Sequence, residues 1–203
     1  MTGPDAGQRA FRELEHILQR EPQPGAALER LFAGPLPPAF APLRRMKSTR
    51  QSPVHHPEGS VWNHTLLVVD EAAKRRTESK CPQALMWAAL LHDVGKPDTT
   101  RVRRGKITSY GHEKVGAALA RRFLSGFMAD SGLIDRVCAL VRYHMQILFV
   151  VKGLPFADLV GMKAGADVEE VALLGLCDRL GRLGADPAEE TANIQVFLQK
   201  CGR

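Results

Sequence analysis

Long apolar runs are missing from this sequence. Hydrophobic residues make up 44% of its 203 positions, yet none of the runs approaches the roughly 20 residues that a membrane-spanning helix needs. The start, Met1-Thr2-Gly3-Pro4-Asp5, is polar and gives no signal-peptide core, so cytosolic residence is the default expectation. Cysteine is scarce. Cys81, Cys138, Cys177 and Cys201 show no Cys-x-x-Cys spacing, which argues against disulfides or a zinc knuckle and for reduced, mostly buried thiols. Gly-rich phosphate loops, dinucleotide fingerprints, internal repeats and low-complexity tracts are also lacking. What remains is enough chain for one domain with a short extension. A modest basic excess, a formal charge of +6, favours anionic partners such as nucleotides or RNA.

One stretch organises the rest: Leu90-Leu91-His92-Asp93-Val94-Gly95-Lys96-Pro97. The apolar run before it reads as a buried helix, with Pro82 suited to its first turn and Gly95 and Pro97 suited to stopping it. An imidazole beside a carboxylate at the end of such a helix is costly unless something binds both groups. A divalent metal can take one nitrogen and one oxygen from this pair, and a simple His–Asp hydrogen bond is the plainer alternative. Further ligand-type residues lie on both sides: His64, then His112, His144 and Asp178. His64 shares a face with Val68, His144 extends the apolar stripe Leu133, Val137, Leu140 and Val141, and Asp178 aligns with Val171 and Leu174. Each therefore points toward a core. A lone carboxylate on such a stripe needs a cation, either a metal or Arg182 at i+4.

Periodicity elsewhere gives an all-α chain. Residues 5–48 read as two or three short helices, and residues 49–60 as an irregular polar segment containing His55, His56 and Glu58. A helix follows over Val61–Arg76, with Asp70–Lys74 and Glu71–Arg75 as surface pairs. Val102 and Ile107 around Arg104-Gly105 predict a small hairpin or structured loop near 99–110, carrying the cations Arg101, Arg103, Arg104 and Lys106. Helices are then expected from His112, with Val115, Leu119 and Phe123 on one face, and from Asp130 or Ser131. More follow from Pro155, with Phe156, Leu159 and Val160, over Val168–Leu183, and from the Asp186 cap. The last of these closes the bundle or forms a homodimer contact.

The order His, His-Asp, His, His, Asp resembles the HD-domain superfamily of metal-dependent phosphohydrolases. Within it, the motifs His56-Pro57-Glu58-Gly59, Val61-Trp62-Asn63-His64-Thr65, Leu91-His92-Asp93-Val94-Gly95-Lys96, Gly111-His112-Glu113 and Asp178-Arg179-Leu180-Gly181-Arg182 are similar to the HD domain that follows the catalytic head of many bacterial CCA-adding tRNA nucleotidyltransferases. The resemblance implies an HD helical bundle over residues 49–203 behind a helical extension over residues 1–48. It implies His64, His92, Asp93 and Asp178 as ligands of one divalent cation, with His112, His144 and a bridging Asp93 holding a second. Iron, manganese, cobalt, nickel and zinc all suit these donors. Asp93 and Lys96 take catalytic roles in this picture, Lys96 reaching a phosphate oxygen. His56 and Glu58 are expected to support the ligands or touch substrate, and Arg101, Arg103 and Arg104 to contact RNA phosphates. The family often carries an acidic residue where Ser60 stands. No Asp-x-Asp pair occurs, so a two-metal nucleotidyl-transfer centre and CCA-adding activity are not expected. Arg142 and Arg179, beside ligands, are expected to point away.

Three functions follow from that resemblance. The first is hydrolysis of phosphate esters of nucleotides or RNA ends, such as 2′,3′-cyclic phosphates. The second is cleavage of signalling or dinucleoside polyphosphates such as diadenosine tetraphosphate. The third is a non-catalytic RNA-binding or regulatory domain with a structural metal.

Overall fold

A computed structural model describes residues 4–203. Among the described residues the regular structure is helical apart from one hairpin, in the order α1 (Pro4–Arg20), α2 (Pro24–Ala33), α3 (Ala41–Arg45), α4 (Val61–Lys74), α5 (Pro82–Leu91), α6 (Lys96–Thr99), β1 (Arg101–Arg103), β2 (Lys106–Thr108), α7 (His112–Ser125), α8 (Ser131–Tyr143), α9 (Gln146–Val151), α10 (Leu159–Gly165), α11 (Val168–Leu180) and α12 (Pro187–Lys200). No described helix is long and apolar enough to cross a membrane.

The apolar run of α5 makes it the central element. Every residue from Ala84 to Leu91 is buried, as a helix with no polar face requires. Helices α1, α4, α8 and α11 pack around it. The N-terminal helices belong to this same core. Phe11 stacks on Trp87 with ring centroids 5.0 Å apart and on Phe127 at 4.7 Å, and Phe40 joins through Phe123. The Arg76 guanidinium donates to the Leu18 and Glu21 carbonyls at 2.6 Å, covering the C-terminal end of α1.

The caps are local and mostly visible in the sequence. Ser60, Asp130, Asp158, Asp167 and Asp186 each accept a backbone N–H at the start of the helix that follows. At Arg104-Gly105 both residues have positive φ, 49° and 73°. That conformation closes a two-residue hairpin turn and pairs Val102 with Ile107.

Several expectations are corrected. Pro155 does not open a helix; Asp158 caps α10 instead, leaving Phe156 and Val160 exposed. Helix α9 follows α8 almost at once and gave no separate signal. On α7 the packed face is His112, Gly116, Ala120 and Phe123, while Val115 and Leu119 are half-buried. Small residues win there because they permit close backbone approach. Asp70 does not pair with Lys74; it accepts from the Gly25 N–H at 2.7 Å, at the positive end of α2. Lys74 and Arg75 both bind Glu71 at 2.5 Å.

Candidate metal centre

The end of α5 delivers His92 and Asp93 into the interior, where both are buried. Just beyond it, Gly95 sits against α7. A Cβ at Gly95 would lie 2.2 Å from the His112 carbonyl oxygen and 2.6 Å from the Gly116 nitrogen. Only glycine allows two backbones to meet so closely, and the contact sets His112 beside Asp93. Helix α8 then brings His144 to the same place, α4 brings His64 and α11 brings Asp178. The five elements converge on one buried cluster.

Hydrogen bonds fix which nitrogen of each ring faces the centre. The Nδ1 atoms of His92, His112 and His144 lie 2.9, 2.7 and 2.7 Å from the carbonyl oxygens of Ala89, Ser109 and Val141, each three residues earlier. A carbonyl only accepts, so these nitrogens carry protons, and Nε2 is the atom that each ring turns inward. This is the outer-shell arrangement typical of metal-binding histidines. His112 Nε2 and His144 Nε2 are 3.2 Å apart, and they lie 3.2 and 3.8 Å from Asp93 Oδ1. His92 Nε2 is 3.2 Å from Asp93 Oδ2. Among the described residues, His92 Nε2 and both Asp93 carboxylate oxygens are buried without a hydrogen bond of good geometry. Inward Nε2 atoms around a buried carboxylate whose oxygens lack well-directed donors suit cations. Of three overlapping groups that could hold them, His56, Glu58 and His64 lie outermost, and two are centred on Asp93: His64, His92 and Asp93, and Asp93, His112 and His144. Asp93 is common to both.

His64 is held from both sides. Its Nε2 is 3.0 Å from Asp178 Oδ1 and its Nδ1 is 2.9 Å from Glu58 Oε1. Glu58 also accepts from His56 Nδ1 at 2.8 Å. Glu58 therefore lies behind His64, while His56 lines the adjoining cavity. Ser60 serves as the cap of α4, so the carboxylate next to His64 comes from Glu58. Asp178 is approached by Arg182 at 3.3 Å and by His64 at 3.0 Å, so the i+4 arginine is one of its partners.

The electrostatics match. Burial works to raise the Asp93 carboxyl pKa, but the charges of His92 and Lys96 hold it well below the usual carboxylate range. Asp178 is held down likewise, burial being outweighed by Arg182 and His64. Burial, reinforced by His112 and His92, pushes His144 down to about 3, so its ring stays neutral. Burial lifts the Cys177 thiol to about 12, so it is protonated and unreactive beside Asp178.

A cavity of about 1150 Å³ opens from the cluster. Lys96 lines it, with its ammonium 2.6 Å from both Asp93 Oδ2 and Gln51 Oε1. Arg142 also lines the cavity, 3.9 Å from Glu113 Oε1, where helix spacing places it facing away. Its long side chain at the last turn of α8 reaches round the helix end. Arg179 does point elsewhere, to Glu190. Gln51 carried no sequence signal, because its role depends on a lysine 45 positions later. Arg101, Arg103 and Arg104 are exposed on the hairpin and do not line the cavity, whereas Ile107 and Thr108 of β2 do.

An all-α bundle whose central helix ends in a buried His–Asp pair, with three histidines and an aspartate from other helices converging on it, defines a metal-binding domain. More specifically, the HD domain family model matches residues 61–183, and the chain belongs to that family, whose superfamily comprises metal-dependent phosphohydrolases. Relatives include the multifunctional CCA protein of Methylococcus capsulatus, 31% identical over 199 residues, covering 96% of this chain and 40% of that protein. That of Halorhodospira halophila is 34% identical over 140 residues, covering 68% and 32%. The CC-adding tRNA nucleotidyltransferase of Thermus thermophilus is 34% identical over 146 residues, covering 70% and 32%. The chain thus spans between about a third and two fifths of the length of these relatives.

Proposed function

We propose that this chain is a metal-dependent phosphohydrolase acting on phosphate esters of nucleotides or RNA ends, with a terminal 2′,3′-cyclic phosphate as the favoured substrate. The observation that carries the reading is the set of inward Nε2 lone pairs around Asp93, with Lys96 beside them on the wall of an open cavity. The names of the relatives favour RNA ends over dinucleoside polyphosphates as the substrate class.

His64, His92, Asp93 and Asp178 are the ligands of one divalent cation in this proposal, and Asp93, His112 and His144 those of a second. A divalent cation bound among these donors supplies Lewis acidity, which eases water attack at phosphorus and steadies charge on the phosphoryl oxygens. The chain's own groups do the rest. The carbonyls of Ala89, Ser109 and Val141 keep three imidazoles in one tautomer and orientation. Glu58 orients His64. Lys96, already at the cavity wall, gives a mobile point charge to a phosphoryl oxygen, and Gln51 keeps it aimed there. His56 borders the space for the ribose. In the overall change, water oxygen bonds to phosphorus, one ester P–O bond breaks, and the leaving ribose oxygen gains a proton, giving a phosphomonoester.

The test compares a 2′,3′-cyclic mononucleotide, a short RNA ending in the same group, and diadenosine tetraphosphate, with divalent metals supplied singly. Opening of the cyclic esters is the expected result. If both survive while the polyphosphate is cleaved quickly, the dinucleotide reading replaces this one.

A further inference from the structure

The cavity has walls that phosphate chemistry does not need. Alongside the ligands it is lined by Tyr110, Leu148, Phe149, Leu154 and Phe156. A phosphoryl group gains nothing from such surface. Phe156 is 58% exposed and Tyr110 67% exposed at the cavity rim, the Tyr110 ring lying beneath the Arg103 guanidinium at 5.9 Å. The Phe156 ring rests on Phe149, with centroids 5.5 Å apart at 59°.

This aromatic wall is built rather than loose. The Leu154 N–H donates to the Phe149 carbonyl at 2.8 Å, folding residues 154–158 back onto α9. Gln146, 1% exposed, accepts the Asp158 N–H through its side-chain oxygen at 2.7 Å, and its amide nitrogen reaches the Phe156 carbonyl at 3.5 Å. Asp158 Oδ1 accepts from the Gly161 N–H as the cap of α10. Gln146 and Asp158, the polar side chains that build this turn, are therefore already engaged in holding it. The wall offers a π-face without their hydrogen bonds, a surface that stacks planar rings and reads their edges poorly.

We infer that Phe156, backed by Phe149, is a stacking subsite for the nucleobase of the nucleotide whose phosphate lies at the metal-ligand end, and that it accepts all four bases. The inference rests on the reading of the site as one for nucleotide phosphates. A base stacked on an aromatic side chain is worth about 1–3 kcal/mol, or roughly five- to 150-fold in affinity. Exposure of Phe156 means its removal leaves the core intact, and Gln146 acts as a positioning residue.

The experiment measures equilibrium binding of AMP and of ribose 5-phosphate to the purified protein by calorimetry, with the ligands recovered intact at the end. Wild type should bind AMP at least fivefold more tightly than ribose 5-phosphate. Phe156→Ala should abolish most of that difference and leave ribose 5-phosphate affinity unchanged, and Phe156→Trp should restore it. CMP, GMP and UMP should fall within about tenfold of AMP. Equal or undetectable binding of the two ligands would overturn the inference, as would an unchanged AMP preference in Phe156→Ala. A Phe156→Ala change in oligomeric state with AMP affinity intact would overturn it too, assigning the ring to a contact between copies. A preference above tenfold for one base would overturn the four-base claim. Turnover is not read here, so base-dependent binding without hydrolysis would sink only the proposed reaction, and hydrolysis without base dependence would sink only this subsite.

Discussion

His112 and His144 face each other Nε2 to Nε2 at 3.2 Å, while the Nδ1 of each is hydrogen-bonded to a carbonyl of its own chain segment. With each Nδ1 proton committed to a carbonyl, the two Nε2 atoms turn toward each other and Asp93 Oδ1 completes the triangle. A cation placed there would meet three donor atoms.

The purified protein should carry about one to two divalent transition-metal ions per chain. Asp93→Ala should lose the most, because Asp93 is common to both ligand groups. His64→Ala and Asp178→Ala should follow. Elemental analysis of each variant checks the ranking. Full metal content and rate in both His112→Ala and His144→Ala would remove the second ion.

Glu58→Gln keeps the shape but weakens the hold on His64 Nδ1, now 2.9 Å from the carboxylate. Loss of such an outer-shell partner should weaken metal binding about ten- to a hundred-fold, measured by competition with a chromophoric chelator. Affinity equal to wild type would show that the contact orients nothing.

Metal uptake should release protons. Burial opposes charge on His64, but Asp178 and Glu58 outweigh it and raise its pKa, which favours the protonated imidazole in the metal-free protein. A cation taking Nε2 must displace that proton, and affinity therefore rises with pH until the ring is neutral. The sign for stability is opposite. The raised pKa stabilises the metal-free fold below pH 6.5, and this contribution is lost as pH climbs through the folded value. Calorimetry at pH 6.5 in buffers of different ionisation heat reads the proton directly; observed heats that do not vary with the buffer would contradict the assignment.

Lys96→Ala should fold and bind metal, yet lose rate on phosphate esters by roughly ten- to a hundred-fold, the worth of a charge-assisted hydrogen bond of about 1.5–3 kcal/mol. Steady-state kinetics on a cyclic mononucleotide provides the check, and an unchanged rate would return Lys96 to being the partner of Asp93 and Gln51 alone.

Gly95→Ala should destabilise the protein by about 3 kcal/mol. The added carbon meets backbone atoms of His112 and Gly116, which cannot rotate away. Urea denaturation measures the loss, and a stability within 0.5 kcal/mol of wild type would mean that α7 moves freely, contrary to its role in placing His112.

Much of this molecule is legible from the chain alone, because the signals are local. The apolar run before His92-Asp93, the stripes carrying His144 and Asp178, the Asp130 and Asp186 caps and the Arg104-Gly105 turn each follow from spacing that a few neighbouring residues set. What only the tertiary structure decided depends on partners far apart in sequence. Gly95 against Gly116 sets the approach of α7, and its small-residue face hides from a search for apolar periodicity. Gln51 on Lys96, Glu58 behind His64, Asp70 at the start of α2 and Arg142 at the cavity wall are all choices among several reachable partners. Which ring nitrogen each histidine turns inward was settled by a carbonyl three residues earlier. That bond is local in sequence, but it acquires meaning only where three such rings are packed around one aspartate.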